Sequence, residues 1–87
     1  MDSLEERIAA TERRLYAWCR EREVTITGDG AISEPDTAAL LGLKSTDTLR
    51  KAAAEGMDKL PYRKSGNRRW YRLHDIARDM EESYVQP

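Results

Sequence analysis

The sequence has no phenylalanine, a single cysteine and three prolines. One cysteine cannot form an internal disulfide, and no apolar run approaches the roughly 20 residues that span a bilayer. The amino terminus lacks the apolar segment of a secretory signal peptide, so we expect a cytoplasmic protein. With 87 residues, 36% of them charged, the chain predicts one small, helix-rich domain with no room for an elaborate active site.

Acidic residues are absent from residues 60–73, although the whole chain has a net charge of −1. Residues 44–73 hold nine basic and three acidic side chains, a net charge of +6, and the rest of the chain carries −7. Binding to a polyanion responds to the local field rather than to the total charge. The weakly acidic composition therefore does not exclude a nucleic-acid partner.

The turn Ser65-Gly66-Asn67 lies inside this cationic stretch, between two short runs of alternating large residues. A Gly-Asn turn flanked in this way predicts a β-hairpin. Strand alternation places Tyr71 and Trp70 on opposite faces, and we expect Tyr71 to point into the core. Trp70 then lies outward between Arg68 and Arg72, where it either braces their stems by a cation–π contact or packs on the first helix.

An amphipathic helix is predicted at the amino terminus. Ser3 and Glu6 form a capping box, and the helical spacing continues to about Arg22. Its apolar stripe fits two alternatives equally well, packing on its own domain or a seam for self-association. The stripe comprises Leu4, Ile8, Leu15 and Trp18. Residues 24–32 fit a short strand or a linker, with a turn at Gly28-Asp29-Gly30.

Two short helices joined by a tight glycine turn are predicted next. Ser33 caps the first, which runs to Leu41, and Gly42 ends it in the left-handed conformation. Ser45 caps the second, which reaches about Glu55. A helix pair of this kind is the minimum for a helix-turn-helix.

The rest of the helical pattern surrounds the hairpin. We expect Gly56 to terminate the helix before it. A last helix is predicted to begin at Asp75, and Ile76, Met80 and Tyr84 recur on it at every fourth residue as core positions. The resulting order of helix, turn, helix, hairpin and helix is far more specific than a helix pair alone.

Over about residues 31–84, the chain resembles the winged helix-turn-helix domain of MerR-type regulators and phage excisionases. The resemblance rests on the motifs AALLG at 38–42, TLR at 48–50, Gly56, Pro61, Gly66, RR at 68–69, YRL at 71–73 and DI at 75–76. It implies a mostly α fold with a small β-hairpin, preceded by the amphipathic helix. The predicted organisation is a helix at 1–23, a strand or linker at 24–32, the winged domain at 33–84 and a tail at 85–87.

The resemblance also implies two sets of DNA contacts, because in that family the second helix enters the major groove and the wing meets the backbone or minor groove. The recognition-helix set comprises Lys44, Ser45, Thr46, Thr48, Arg50 and Lys51. The wing set comprises Arg63, Lys64, Asn67, Arg68, Arg69, Trp70 and Arg72. The first helix is left unexplained.

Catalytic and metal-dependent functions have little support. His74 and Cys19 lie on separate predicted elements without a third soft ligand, so neither a zinc site nor a Cys/His nucleophile is expected. The glycines match no phosphate-loop spacing, and no cofactor, small-molecule ligand or membrane partner is indicated.

The sequence therefore predicts a small, sequence-specific protein that binds double-stranded DNA, acting as a homodimer or a cooperative oligomer. We expect a transcriptional regulator or an excisionase-like recombination factor of phage or plasmid type. A terminase small-subunit-like role in DNA packaging is the nearest alternative. An alternative of another class is a protein-interaction adaptor whose aromatic hairpin and first helix bind an acidic partner.

Overall fold

The computed structural model of the protein describes residues 3–54 and 60–84, in which four helices surround a small three-stranded antiparallel sheet. The elements in chain order are α1 Leu4–Glu21, β1 Ala31–Ser33, α2 Glu34–Leu40, α3 Thr46–Ala54, β2 Arg63–Ser65, β3 Arg68–Arg72 and α4 Leu73–Ser83. The mostly helical composition with a small β element agrees with the prediction. The predicted helix terminator, Gly56, lies outside the described residues.

Helix α1 begins as the capping pattern predicts, since the Ser3 Oγ accepts a hydrogen bond of 3.1 Å from the Glu6 backbone N–H. It ends at Glu21, with Arg22 as its C-cap. The helix packs along α4, and its buried residues are Ile8, Thr11, Leu15 and Cys19. No helix in the described parts of the chain is long and apolar enough to cross a membrane.

This packing decides between the two roles considered for the apolar stripe of α1. Ile8 is 1% exposed and Leu15 is 8% exposed, both within the core of their own chain. Their assignment to a self-association seam is therefore wrong, because α4 already covers the face that they share. Leu4 is 36% exposed, and the partly exposed Trp18 ring carries the Arg22 guanidinium 4.4 Å from its centroid.

Helix α2 follows its predicted signals closely. The Ser33 Oγ accepts from the Asp36 backbone N–H at 3.4 Å and donates to the Asp36 carboxylate at 2.9 Å. The helix ends at Leu40, Leu41 is the C-cap, and Gly42 has a φ of 76°. A residue with a Cβ would be strained there, which explains why glycine makes the turn to the next helix.

Helix α3 is held by a cap at one end and by the core on one side. The Ser45 Oγ accepts from the Thr48 backbone N–H at 3.4 Å, as its position predicts. Leu49 is 1% exposed and anchors the helix, whereas Thr48 and Lys51 are exposed. The outward face predicted for this helix is thus available at these two positions.

The hairpin forms at the predicted turn, with Ser65 opposite Arg68 across the two residues Gly66 and Asn67. Gly66 has a φ of 62°, the positive value that the first central residue of a type II′ turn requires. Strand β1 adds to the other edge of β3, where Ile32 faces Tyr71. Tyr71 is 2% exposed, so the prediction that it points into the core is confirmed. Among the described residues, 24–26 form no strand.

Helix α4 differs from its prediction at both ends. It begins at Leu73, two residues before the predicted Asp75, because the Leu73 backbone N–H donates to the Gly30 carbonyl at 2.9 Å and its side chain is fully buried. Ile76 is also fully buried and Met80 packs against the core. Tyr84 is 69% exposed, so its assignment to the core is wrong; the helix ends at Ser83 and the chain turns extended there.

The turn before β1 is sensitive to any added side chain. Gly30 has a φ of 76°, and a Cβ built on it would lie 2.5 Å from the Tyr16 hydroxyl oxygen. We expect Gly30→Ala to lower the free energy of unfolding by about 2–3 kcal/mol, since the left-handed backbone strain adds to the clash. Urea denaturation measures this loss.

Two controls separate the backbone strain from the clash. Gly28→Ala should be nearly neutral, because a Cβ there meets nothing within 4 Å. Adding Tyr16→Phe to Gly30→Ala should recover part of the loss by removing the hydroxyl. An unchanged stability in Gly30→Ala would contradict the close approach of these two residues.

Candidate nucleic-acid interface

A cleft of about 270 Å³ lies between the beginning of α3 and the end of the hairpin. It is lined by Ser33, Glu34 and Pro35 from the start of α2, Thr46 and Arg50 from α3, and Asn67, Arg68 and Arg69 from the hairpin. Members of the predicted recognition-helix set and of the predicted wing set therefore share one concave surface. Three segments that are distant in sequence form it.

Arg50 is held by a buried carboxylate on the wall of this cleft. Its Nη2 lies 2.7 Å and its Nε 2.9 Å from the Glu34 Oε1. The Glu34 side chain is 5% exposed, whereas that of Arg50 is 54% exposed. The hydrogen bond and the charge of Glu34 both raise the pKa of the Arg50 guanidinium. Arg50 is therefore not an unpaired cation, because it neutralises a buried acid, although its side chain remains exposed in the cleft.

Sequence reasoning missed Glu34 altogether. A glutamate in the first turn of a helix is ordinarily solvated and stabilises the helix dipole, so nothing local marks it as buried. Its Oε2 atom is buried and has no hydrogen-bond partner among the described residues. The pair with Arg50 joins α2 to α3 and fixes how the two helices meet.

Two of the predicted wing cations are also occupied. The Arg63 Nε lies 3.3 Å from the Asp29 carboxylate, and the Arg72 Nε lies 2.7 Å from the Asp75 carboxylate. The Asp75 side chain is only 12% exposed, so Arg72 ties the end of β3 to the first turn of α4. Both arginines remain about half exposed, but neither is an unpaired cation as the sequence suggested.

The remaining basic residues of the two predicted sets are better placed for an anion. Among the basic residues of these two sets, those that are exposed and form no ion pair with the described residues 3–54 and 60–84 are Lys44, Lys51, Lys64 and Arg68. Two of them precede or lie on α3 and two lie on the hairpin. These four residues are called the free cations below.

The polar residues of the two predicted sets differ in whether their side chains are engaged within the protein or exposed. The Ser45 and Thr48 hydroxyls lie 3.4 Å apart, and Ser45 also caps the helix, so the serine is engaged locally. Thr48 and Asn67 are exposed, and Thr46 lines the cleft. Thr48 is thus an exposed polar side chain of α3 whose hydroxyl already lies against Ser45.

The cation–π contact of the hairpin involves a different ring from the predicted one. The Arg69 guanidinium lies 4.6 Å from the centroid of Tyr62, whose ring is also 5.9 Å from that of Tyr71. Among the described residues, Trp70 makes no cation–π contact, so its predicted bracing of arginine stems is wrong. Trp70 is half-buried on the outer face of the sheet.

Cys19 and His74 stay on separate elements. Burial raises the pKa of the Cys19 thiol, and the charge of Asp36 adds to the shift. The His74 Nδ1 lies 2.6 Å from the Glu12 carboxylate, in a surface contact between α4 and α1. In the parts of the chain that the structure describes, no three potential metal ligands come together.

The candidate site is therefore the cleft between α3 and the hairpin, together with the four free cations: Arg68 lines the cleft, and the three lysines lie on or next to the elements that form it. The site is built from this chain's own residues and combines a concave surface with exposed positive charge. Comparisons of the chain with models of protein families, with curated proteins and with solved structures find no match.

Proposed function

We propose that this protein binds double-stranded DNA as a winged helix-turn-helix, with α3 in the major groove and the β2–β3 hairpin as the wing. The observation that carries the proposal is the shared cleft, where the first turn of α3 meets the end of the hairpin. A helix and a hairpin that flank one concave surface can follow a groove and the adjacent backbone together.

The charges around the cleft favour a polyphosphate. The four free cations form no ion pair with a described acidic residue, so phosphates can replace water around them at little cost. Arg50 offsets Glu34, which keeps the buried carboxylate from repelling the backbone. Three arginines within residues 44–73, Arg50, Arg63 and Arg72, are neutralised by acids of the fold, and the four free cations supply the positive charge that remains available to phosphates.

The two kinds of contact have different roles in this proposal. The phosphate contacts of Lys64 and Arg68 supply affinity and register, whereas the exposed Thr48 and Lys51 on α3 supply base discrimination. One such module buries a modest interface, so useful specificity requires a dimer or cooperative binding to repeated sites. A regulatory or recombination role in which the protein occupies a specific site follows from this.

Fluorescence anisotropy with a blunt, labelled duplex tests the proposal across salt concentrations. Four phosphate contacts predict a slope of log affinity against log salt of about −3.6, from about −0.9 per phosphate. Unlabelled duplex of unrelated sequence should compete, but less well than a site selected from a random pool. No detectable duplex binding at low salt would contradict the proposal and favour a protein adaptor instead.

Lys51 should contribute to sequence discrimination. Lys51→Ala is expected to reduce affinity for a selected site about tenfold more than affinity for random duplex, because a lost base contact costs about 1–3 kcal/mol at its own position. Lys44→Ala is the matched control, since it removes an equal charge just before α3 and should weaken both duplexes equally. Equal losses for Lys51→Ala on both duplexes would make it a phosphate contact.

A further inference from the structure

A second hollow, of about 160 Å³, lies at the base of the hairpin on the outer face of the sheet. Two aromatic rings, Tyr62 and Trp70, and two guanidinium groups, Arg63 and Arg72, line it together with Asp29. These five residues are called the sheet-face site. Trp70, Arg63 and Arg72 lie on the face of the sheet opposite to Tyr71, whereas Tyr62 borders the hollow while its ring lies 5.9 Å from that of Tyr71.

The register of the sheet places two guanidinium groups beside Trp70. Arg63 is paired with Asp29 and Arg72 with Asp75, and both arginines remain about half exposed. Arg63 is directly opposite Trp70 on β2, where side chains lie about 4.5–5.5 Å apart at Cβ. Arg72 is two residues along β3 on the same face, a spacing of roughly 6.6–6.8 Å. A nucleic-acid base can stack on such an aromatic ring, and the cations next to the ring can contact the phosphates on the two sides of that base.

Asp29 adds a hydrogen-bond acceptor to the site. Asp29 accepts a hydrogen bond from the Thr27 hydroxyl, and this bond, with a smaller contribution from Arg63, lowers the pKa of the Asp29 carboxyl. It therefore stays ionised as a hydrogen-bond acceptor, which the exocyclic amino group of a base needs. The Asp29 side chain is 47% exposed, so its pair with Arg63 can exchange for contacts with a ligand at little cost.

We propose that the sheet-face site binds an unpaired nucleotide of a single-stranded nucleic acid, with the base stacked on Trp70 and the adjacent phosphates contacted by Arg63 and Arg72. Stacking on an aromatic side chain together with a cation that follows the backbone is how single strands are held without sequence preference. The inference does not depend on duplex binding by α3, because none of its five residues lies on that helix.

Binding of twelve-nucleotide oligodeoxycytidine and oligocytidine, which share a base with an exocyclic amino group, compared with a blunt duplex, tests this site. We expect Trp70→Ala to weaken binding of the single strands about tenfold or more, since a stacked base contributes about that much, while duplex affinity changes less than about threefold. Trp70→Phe keeps a ring and should stay within about threefold of wild type. A preference between the two oligomers identifies DNA or RNA as the source of the nucleotide.

The controls keep the test independent of folding and of duplex binding. Tyr84→Ala removes an exposed ring elsewhere and should leave single-strand affinity unchanged, and so should Lys51→Ala. If Trp70→Ala does not fold by circular dichroism, Arg63→Gln replaces it, with an expected loss of several-fold and a shallower salt dependence. Wild-type protein that binds neither oligomer at low salt, or a folded Trp70→Ala that binds both like wild type, would overturn the inference.

Discussion

Arg50→Ala should lower the melting temperature by roughly 10 °C, as expected when a buried ion loses its partner in a domain of this size. Glu34 is 5% exposed, and Arg50 supplies its two short contacts. Without the guanidinium, the buried carboxylate loses the partner that neutralises it. Circular dichroism melting at neutral pH measures the effect.

The neighbouring lysine provides the matched control for this prediction. Lys51→Ala removes a basic side chain from the same helix, but Lys51 is exposed and is one of the four free cations, so its melting temperature should be close to that of wild type. Adding Glu34→Gln to Arg50→Ala should restore much of the loss, since the buried charge disappears. If Arg50→Ala melts like Lys51→Ala and loses only DNA affinity, Arg50 is a groove contact after all.

The elements that the sequence predicted well are set by residues within four positions of one another. The caps at Ser3, Ser33 and Ser45 each bond a backbone N–H three residues ahead. Gly42 and Gly66 take the positive φ that their turns need. Such signals are local, so no knowledge of the tertiary structure was required to find them.

The features that were missed depend on contacts between distant segments. The sequence pattern of residues 24–32 fits a short strand or a linker. The strand forms at Ala31–Ser33 because it pairs with β3, where Ile32 faces Tyr71, and no local pattern specifies that pairing. Helix α4 begins early because the Gly30 carbonyl accepts from Leu73, and Tyr84 is exposed because the helix ends before it. Each of these outcomes depends on how the helices pack against the sheet. The spacing of residues along a single element does not specify that packing.

The candidate site shows the same division. The cationic hairpin was predictable from composition and turn chemistry, but the state of each cation was not. Arg50 pairs with a residue 16 positions away, and Arg63 pairs with Asp29 across the sheet. Counting charges along the sequence identifies the cationic segment. Only the structure shows which of its basic residues are the four free cations and which arginines stabilise the fold through ion pairs.

The wing itself is tested by the double replacement Arg68→Ala and Arg69→Ala. If both side chains contact phosphates, the salt slope for duplex binding should become shallower by about 1.8 and affinity should fall on every sequence alike. Arg13→Ala with Arg20→Ala is the matched control, since it removes the same charge from exposed positions of α1. An equal loss in both double variants would indicate attraction by net charge alone.

The single replacements distinguish the two arginines. Arg68 is exposed and forms no ion pair among the described residues, so Arg68→Ala should reduce DNA affinity without changing the melting temperature. Arg69 lies over the Tyr62 ring, and Arg69→Ala should also cost about 0.5–1 kcal/mol of stability through the lost cation–π contact. Because Tyr62 in turn contacts Tyr71 in the core, Arg69 connects the hairpin surface to the interior. A larger loss of stability than of DNA affinity in Arg69→Ala would assign this arginine to the fold and leave Arg68 and Lys64 as the phosphate contacts of the wing.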